Sequence, residues 1–292
     1  MSSFILGAGR VGRTLISVLQ SAGEPLSGAS NRSEKNAHRT TAELGIPTQA
    51  SPCPVIPPET RIAWLTVPDR EIGAAARCAA PQLHPDAILV HTSGTLPSAM
   101  LRSHAPTVGS VVGAHPLQTM TGAPDDLERI HGCHWFLEGE PEALQTITAL
   151  LQRLGMHTHP IRPESRPLYH AAAVLASNAA FGLHNAATRL LVQAGVDTED
   201  AAAALVPLMT ATLSNLQKMG APKALTGPVA RGEVDVVASH LDVLAREAPE
   251  CEELYRALLD PLLRVAREQG NAAPDLLDAI DRIRRESSTK SR

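Results

Sequence analysis

The chain has 292 residues, 43% hydrophobic and 19% charged, which is enough apolar material for two packed cores and unlike a disordered or fibrous chain. A formal net charge of -4 gives no general attraction to nucleic acid, and 2% aromatics are too few for base-stacking platforms. The longest apolar stretch, 171–187, is broken by Ser177, Asn178, His184 and Asn185, so no membrane span is expected.

Short apolar runs predict strands at 4–6, 26–30, 61–67, 87–91, 109–114, 135–138 and 157–161. Helical patterns at 11–22, 33–44, 69–80 and 141–154 lie between them. Such alternation predicts a parallel sheet covered on both faces. The segment 51–58, SPCPVIPP, reads as an extended connection. From Pro163 onward only helices are predicted, at 168–194 (ended by Gly195), 198–219 (ended by Gly220), 236–247, 250–269 and 274–286. Two domains, 1–161 and 162–292, follow.

The first residues carry no basic region, so no cleavable signal is expected. Cys53, Cys78, Cys133 and Cys251 are scattered with no C-x-x-C pair, so neither a disulfide framework nor a zinc site is expected, and a reducing cytoplasm fits. His131, Cys133 and His134 crowd together, but neighbours on a strand face opposite ways, so no metal site is expected there.

Gly7-Ala8-Gly9-Arg10-Val11-Gly12 is G-x-G-x-x-G, placed directly after an apolar strand and opening a helix. Gly7 permits the turn, Gly9 lets backbone approach a pyrophosphate, and Gly12 lets helix and strand pack closely. The helix N-terminus offers N–H groups to phosphates. These features predict an α/β Rossmann dinucleotide-binding domain over 1–161. After the second strand, NAD sites usually place a carboxylate; here the chain reads Asn31-Arg32-Ser33. An Arg and a Ser suit a 2′-phosphate, which points to NADP, unless Arg32 is only a solvated loop residue. Thr66-Val67-Pro68-Asp69 ends another strand and is expected beside the cofactor, with Asp69 capping the next helix. His91-Thr92-Ser93-Gly94 and Ala114-His115-Pro116 end two more, placing Thr92 near the cofactor and Ser93 and His115 near the chemistry.

The helix from Leu168 is apolar nearly all round, as expected of a helix buried in a domain or subunit core. His170, Ser177 and His184 recur every seven residues, as do Asn178 and Asn185, forming a polar seam that needs a ligand or interhelical partners. His170, Ser177 and Asn178 are the expected ligand-facing end. Thr226-Gly227-Pro228 with Arg231 reads as a closing loop supported by Asn215; Arg231 holds a substrate carboxylate or forms a structural salt bridge.

With these residues in view, the chain resembles the 6-phosphogluconate-dehydrogenase-like reductases, a class that includes ketopantoate reductases, pyrroline-5-carboxylate reductases and deazaflavin-dependent NADP oxidoreductases. Its closest likeness is to the Rossmann-like plus domain-of-unknown-function-2520 family. The carrying segments are G-x-G-x-x-G, HTSG at 91–94, GAHPLQTM at 113–120, YHAAAVLASN at 169–178 and ALTGPVARGE at 224–233. The resemblance implies a C-terminal helical domain like that of 6-phosphogluconate dehydrogenase over 162–292, holding substrate and a homodimer contact, with the active site between the domains. It implies an NADP-dependent reductase of a small carbonyl, such as a 2-keto acid and ketopantoate among them, or of an imine. A turnover-free NADP sensor and a deazaflavin-linked oxidoreductase are the alternatives. Ordinary ketopantoate reductases carry a catalytic Lys on the first long helix; here the lysines are Lys35, Lys218, Lys223 and Lys290, none on it. A proton donor is therefore sought in His170 or His115, with Ser93 and Asn178 bonding the reacting group.

Overall fold

The computed structural model describes residues 1–122 and 126–286. In chain order the first part comprises β1 (Ser2–Leu6), α1 (Arg10–Ser21), β2 (Leu26–Asn31), α2 (Glu34–Leu44), β3 (Thr48–Ala50), β4 (Thr60–Leu65), α3 (Asp69–Ala79), β5 (Ile88–His91), α4 (Met100–His104), β6 (Ser110–Pro116), α5 (Asp126–Ile130), β7 (His134–Gly139), α6 (Pro141–Arg153), β8 (His157–Pro160) and α7 (Arg166–Ala176). Then follow α8 (Asn178–Gln193), α9 (Thr198–Met219), α10 (Ala221–Ala224), α11 (Pro228–Arg231), α12 (Val234–Glu247), α13 (Pro249–Gln269) and α14 (Pro274–Arg285).

The strands form one sheet in the order β3-β2-β1-β4-β5-β6-β7-β8. The pairs from β3 to β6 are parallel, β7 runs antiparallel to β6, and β8 is parallel to β7. Successive residues alternate between two cores. Phe4, Leu6, Ala63, Leu65 and Leu89 face α3 and α4. Ile5, Ile62, Trp64, Ile88 and Val90 face the other way, into a core shared with α1 and α6. Alternation in strands buried on both sides is what makes their sequences read as continuous apolar runs. Chain order reverses between β1 and β4, and such switch points bind ligands at the strands' carboxyl ends. The first six strands have the doubly wound dinucleotide-binding order.

The chain divides into compact units at 1–178 and 179–292, later than the expected boundary at 161. The reason is α7, which Arg166 ties to the sheet. The expected single helix 168–194 is likewise two helices. It breaks at Ser177 (φ −119°, ψ −68°), where two small polar residues, Ser177 and Asn178, follow one another and the Ser177 hydroxyl lies 3.2 Å from Thr119 Oγ1. Nor is the helix buried within the chain: Leu175 is 74% and Phe181 72% exposed.

In the second unit Val237, Leu241, Leu259, Leu263, Leu277 and Ile280 pack α12–α14 around a small core. No helix among the described residues is long and apolar enough to cross a membrane.

One expectation about the cysteines is overturned. Cys53 and Cys78 form a disulfide with Cα atoms 5.6 Å apart, while Cys133 and Cys251 are free and buried. Their separation of 25 residues carries no local signature. The pair meets because the proline-rich connection after β3 passes over α3, and its Cα distance is ordinary for a bridge.

Candidate active site and dinucleotide cradle

The three glycines of the fingerprint do separate work at the end of β1. Gly7 has φ +101°, and a Cβ there would lie 2.7 Å from Val67 Cγ1. A Cβ on Gly12 would overlap the Gly7 carbonyl and lie 2.7 Å from Thr66 Oγ1, so this glycine lets α1 sit against the strand ends. At Gly9 the nearest atom to such a Cβ is 3.8 Å away, leaving open space above the first turn of α1, whose N-cap has no side-chain bond. Gly9→Ala is therefore expected to leave thermal stability unchanged while weakening dinucleotide binding roughly 30-fold, about 2 kcal/mol. Gly12→Ala is expected to lose about 1–3 kcal/mol of stability as well. Calorimetric titration beside thermal melts separates the two, and unimpaired binding by Gly9→Ala would refute the cradle.

A cavity of about 190 Å³ opens here, lined by Gly7, Gly9, Asn31, Arg32, Ser33 and neighbours including Thr66, Val67 and Pro68. Asn31 braces the fingerprint, donating from Nδ2 to Ala8 O at 2.8 Å and accepting from Ser33 N at 3.0 Å. Ser33 caps α2 by accepting from Asn36 N. The Arg32 side chain is 69% exposed and donates to Glu71 Oε1 at 2.8 Å. Glu71, on α3, was not singled out in the sequence. Ala8 and Gly12 are buried supports, Arg10 is exposed and Val11 packs on the core. Thr92 N donates to Leu65 O, joining the ends of β5 and β4. Asp69 makes no cap bond; its carboxylate accepts from Ser93 Oγ at 2.8 Å.

A second cluster lies at the ends of β5 and β6 against α7. His115 Nδ1 is 2.6 Å from the Tyr169 hydroxyl, and the ring centroids of His115 and His170 are 6.1 Å apart. Gly94 faces both imidazoles: a Cβ there would overlap His170 Cδ2 and come within 3.1 Å of His115 Nε2. Phe136 from β7 packs on Tyr169 with centroids 4.5 Å apart, fixing the phenol. Burial, with His170 and the Arg166 charge behind it, lowers His115 to about 4, and burial raises the Tyr169 hydroxyl. His91 is fully buried, accepts from Ser93 N on Nδ1, and is lowered by burial to about 3.

Neutral burial of these two histidines has a sign. In the unfolded chain they take a proton near 6.5, so between that value and their folded values the unfolded state binds more protons. Stability is expected to be full above about pH 6.5 and to fall as pH drops toward 4, by up to about 1.4 kcal/mol per pH unit for each histidine. Urea midpoints at pH 7.5, 6 and 5 check this; a midpoint unchanged over that range contradicts it.

Beneath the cluster sits a buried ion pair that no local sequence pattern signals. Arg166 is 0% and Glu138 3% exposed. Arg166 Nε donates to Glu138 Oε1 at 2.8 Å and Nη1 to Ser93 O at 2.6 Å. Ser98 donates to Glu138 from both N and Oγ at 2.7 Å. A Cβ on Gly113 would overlap Arg166 Nη2, so glycine on β6 makes room for the guanidinium. The pair ties the 93–98 turn, β7 and α7 into one frame.

Several expected site residues are otherwise engaged. The Ser93 hydroxyl donates to Asp69 and accepts from Thr95 N and Leu96 N, so it builds the turn rather than facing a ligand. Ser177 sits by Thr119, and Asn178 is exposed at the start of α8. In the second unit Asn215 and Thr226 are exposed, and Arg231 is held by Glu233 through two bonds of 2.7 and 2.9 Å. That is the salt-bridge alternative for Arg231. His184 Nε2 bonds Ala202 O at 3.0 Å, so this part of the seam is interhelical.

The strand order and the glycine cradle define a protein of the Rossmann dinucleotide-binding class. Residues 133–260 match the family model described as Domain of unknown function (DUF2520). No curated protein matches the sequence. Among solved structures, protein TM1727 from Thermotoga maritima is 25% identical with a TM-score of 0.74, over 92% of this chain and 99% of that one. Protein BF3122 from Bacteroides fragilis, considered an NADP oxidoreductase, is 20% identical with a TM-score of 0.69, over 92% and 97%. A pyrroline carboxylate reductase from Plasmodium falciparum, solved with NADP bound, is 12% identical with a TM-score of 0.58, over 92% and 97%.

Proposed function

We propose that the protein is an NADP(H)-dependent reductase of a small carbonyl or imine compound, with 2-keto acids, ketopantoate among them, as the first carbonyl class to test. The observation that carries this reading is the pairing, within one compact unit, of an open glycine cradle with a histidine–tyrosine cluster at neighbouring strand ends. Gly7 and Gly9 with the first turn of α1 would hold the pyrophosphate, and Arg32 and Ser33 the 2′-phosphate, Arg32 exchanging Glu71 for it. Bound NADPH supplies the hydride.

The chain's own groups supply orientation and the proton. His115, lowered to about 4, is neutral at pH 7 and cannot deliver a proton as an imidazolium. Tyr169 keeps its proton and donates to Nδ1, which leaves the His115 proton on Nε2, facing the Gly94 side. There it polarises the carbonyl oxygen or imine nitrogen. His170, across the same glycine, delivers the proton. Incubation of the protein with NADPH and a panel of 2-keto acids and cyclic imines tests the reading. Oxidation of NADPH with one member supports it; tight binding with no turnover on either class favours a sensor, and turnover only with oxidised deazaflavin favours the deazaflavin-linked reading.

The exposed apolar faces of α7, α8 and α9 extend this proposal to a homodimer. Leu168, Leu175, Phe181, Leu208 and Leu213 are each more than 60% exposed, far more than scattered surface leucines. A second copy covers them in the proposed assembly, and sedimentation at micromolar concentration should return twice the chain mass. The cytosolic setting expected from the sequence belongs to the same proposal, with the condition that the Cys53–Cys78 bridge is reducible there.

A further inference from the structure

The one disulfide among the described residues stands in the wall of the dinucleotide site. A cavity of about 300 Å³ beside the cradle is lined by Arg32, Glu71, Ser51, Pro52, Cys53 and Cys78, and it shares Gly7, Arg32, Val67 and Glu71 with the cradle itself. Cys53 belongs to the proline-rich connection and Cys78 to α3, the helix that also carries Glu71, the partner of Arg32. Cys53 is exposed and Cys78 half-buried, so external thiols can reach the bridge.

The rest of the connection is held without it. Gln49 binds Val55 through both amide atoms, at 2.6 and 2.8 Å. Gln82 donates to Pro54 O and accepts from Ile56 N, and Ile56 is buried. Between those anchors and β3, residues 51–53 are fastened to α3 by the disulfide, while the bond from Cys53 N to Ser51 Oγ stays inside the turn. Opening the bridge frees three wall residues and leaves the sheet and α3 intact.

We propose that Cys53 and Cys78 form a thiol–disulfide redox site that sets the affinity of the adjoining dinucleotide cradle, tight when oxidised and weaker when reduced. The inference rests on the dinucleotide reading of the cradle. In the reductive direction a monothiol such as glutathione attacks Cys53 Sγ as its thiolate. The Cys53–Cys78 bond breaks, a mixed disulfide forms on Cys53, and the Cys78 thiolate leaves and takes up a proton. A second thiolate attacks the external sulfur of that mixed disulfide, releasing Cys53, which is protonated in turn, and an external disulfide. Two electrons pass from two external thiols to the pair, and oxidation by the external disulfide reverses each step. The oxidised wall is preorganised, whereas the reduced wall must be ordered when the nucleotide binds, which costs affinity.

The test equilibrates the full-length chain in glutathione buffers from reducing to oxidising. Thiols are counted by maleimide mass shift in the folded protein, and NADPH affinity is read by fluorescence titration of each sample. Reduction is expected to expose two labelled thiols and to weaken NADPH binding roughly fivefold. The double variant Cys53→Ser, Cys78→Ser should hold the weaker value in every buffer. Equal affinity in both states overturns the redox site and leaves the dinucleotide reading standing, with the bridge a static brace. A pair that can be labelled only after denaturation overturns it as well. Absence of NADPH binding in every state overturns the dinucleotide reading and the inference with it.

Discussion

Replacing Arg166 with alanine is expected to destabilise the first unit by about 3–5 kcal/mol, the loss seen when one partner of a buried ion pair is removed. The size follows from what stays behind. Glu138 keeps its two Ser98 donors but loses its counter-charge at 3% exposure, and the Ser93 carbonyl loses its bond to the guanidinium. Arg166→Met restores the volume yet leaves the same carboxylate unpaired, so it should recover little. Removing both charges, with Glu138→Gln added to Arg166→Met, should recover part of the loss, because the buried cost is that of the lone charge. Urea unfolding of the four proteins checks this. A loss under about 1 kcal/mol for Arg166→Ala would mean that the 93–98 turn and α7 are held by other contacts.

Loss of the His170 imidazole should be the largest effect on turnover. Once a substrate is found, His170→Ala is expected to lower kcat by about 10²–10⁴-fold, the range for a positioned general acid, with NADPH affinity unchanged. His115→Ala should also fall, but its acidic titration near 4 keeps it out of the pH profile above neutrality. Tyr169→Phe removes one hydroxyl and releases the His115 tautomer, so a loss of roughly tenfold in kcat with little change in NADPH binding is expected. Full turnover in His170→Ala would remove it as the proton donor.

How far the sequence could be read depends on how local each signal is. The fingerprint was legible because three glycines, an apolar strand and a helix occur within about a dozen consecutive residues, and each glycine's steric role follows from that order. The strand runs were legible for a similar reason, since burial on both faces removes polar residues. β3 was not, because Thr48-Gln49-Ala50 is short and polar and exists by pairing with β2. The kink at Ser177 was hidden because neither Gly nor Pro marks it. At the site, His115 and the Asn31–Ser33 turn were singled out as chemistry at strand ends, and His170 as part of a polar seam along a helix. Tyr169 lay inside a quoted motif without a role of its own, and Arg166, Glu138 and Glu71 were not singled out. Their roles come from contacts 28 to 73 residues apart in sequence, which no local pattern encodes. Cys53 and Cys78 were misread for the same reason.

The measurement that tests the central claim most directly is calorimetric titration of the purified chain with NADPH and with NADH, repeated on Arg32→Ala. The account predicts NADPH binding roughly tenfold or more tighter than NADH, with the preference lost in the variant because the 2′-phosphate loses its charge-assisted partner. Binding of neither nucleotide, or a preference for NADH in the unaltered chain, would contradict it.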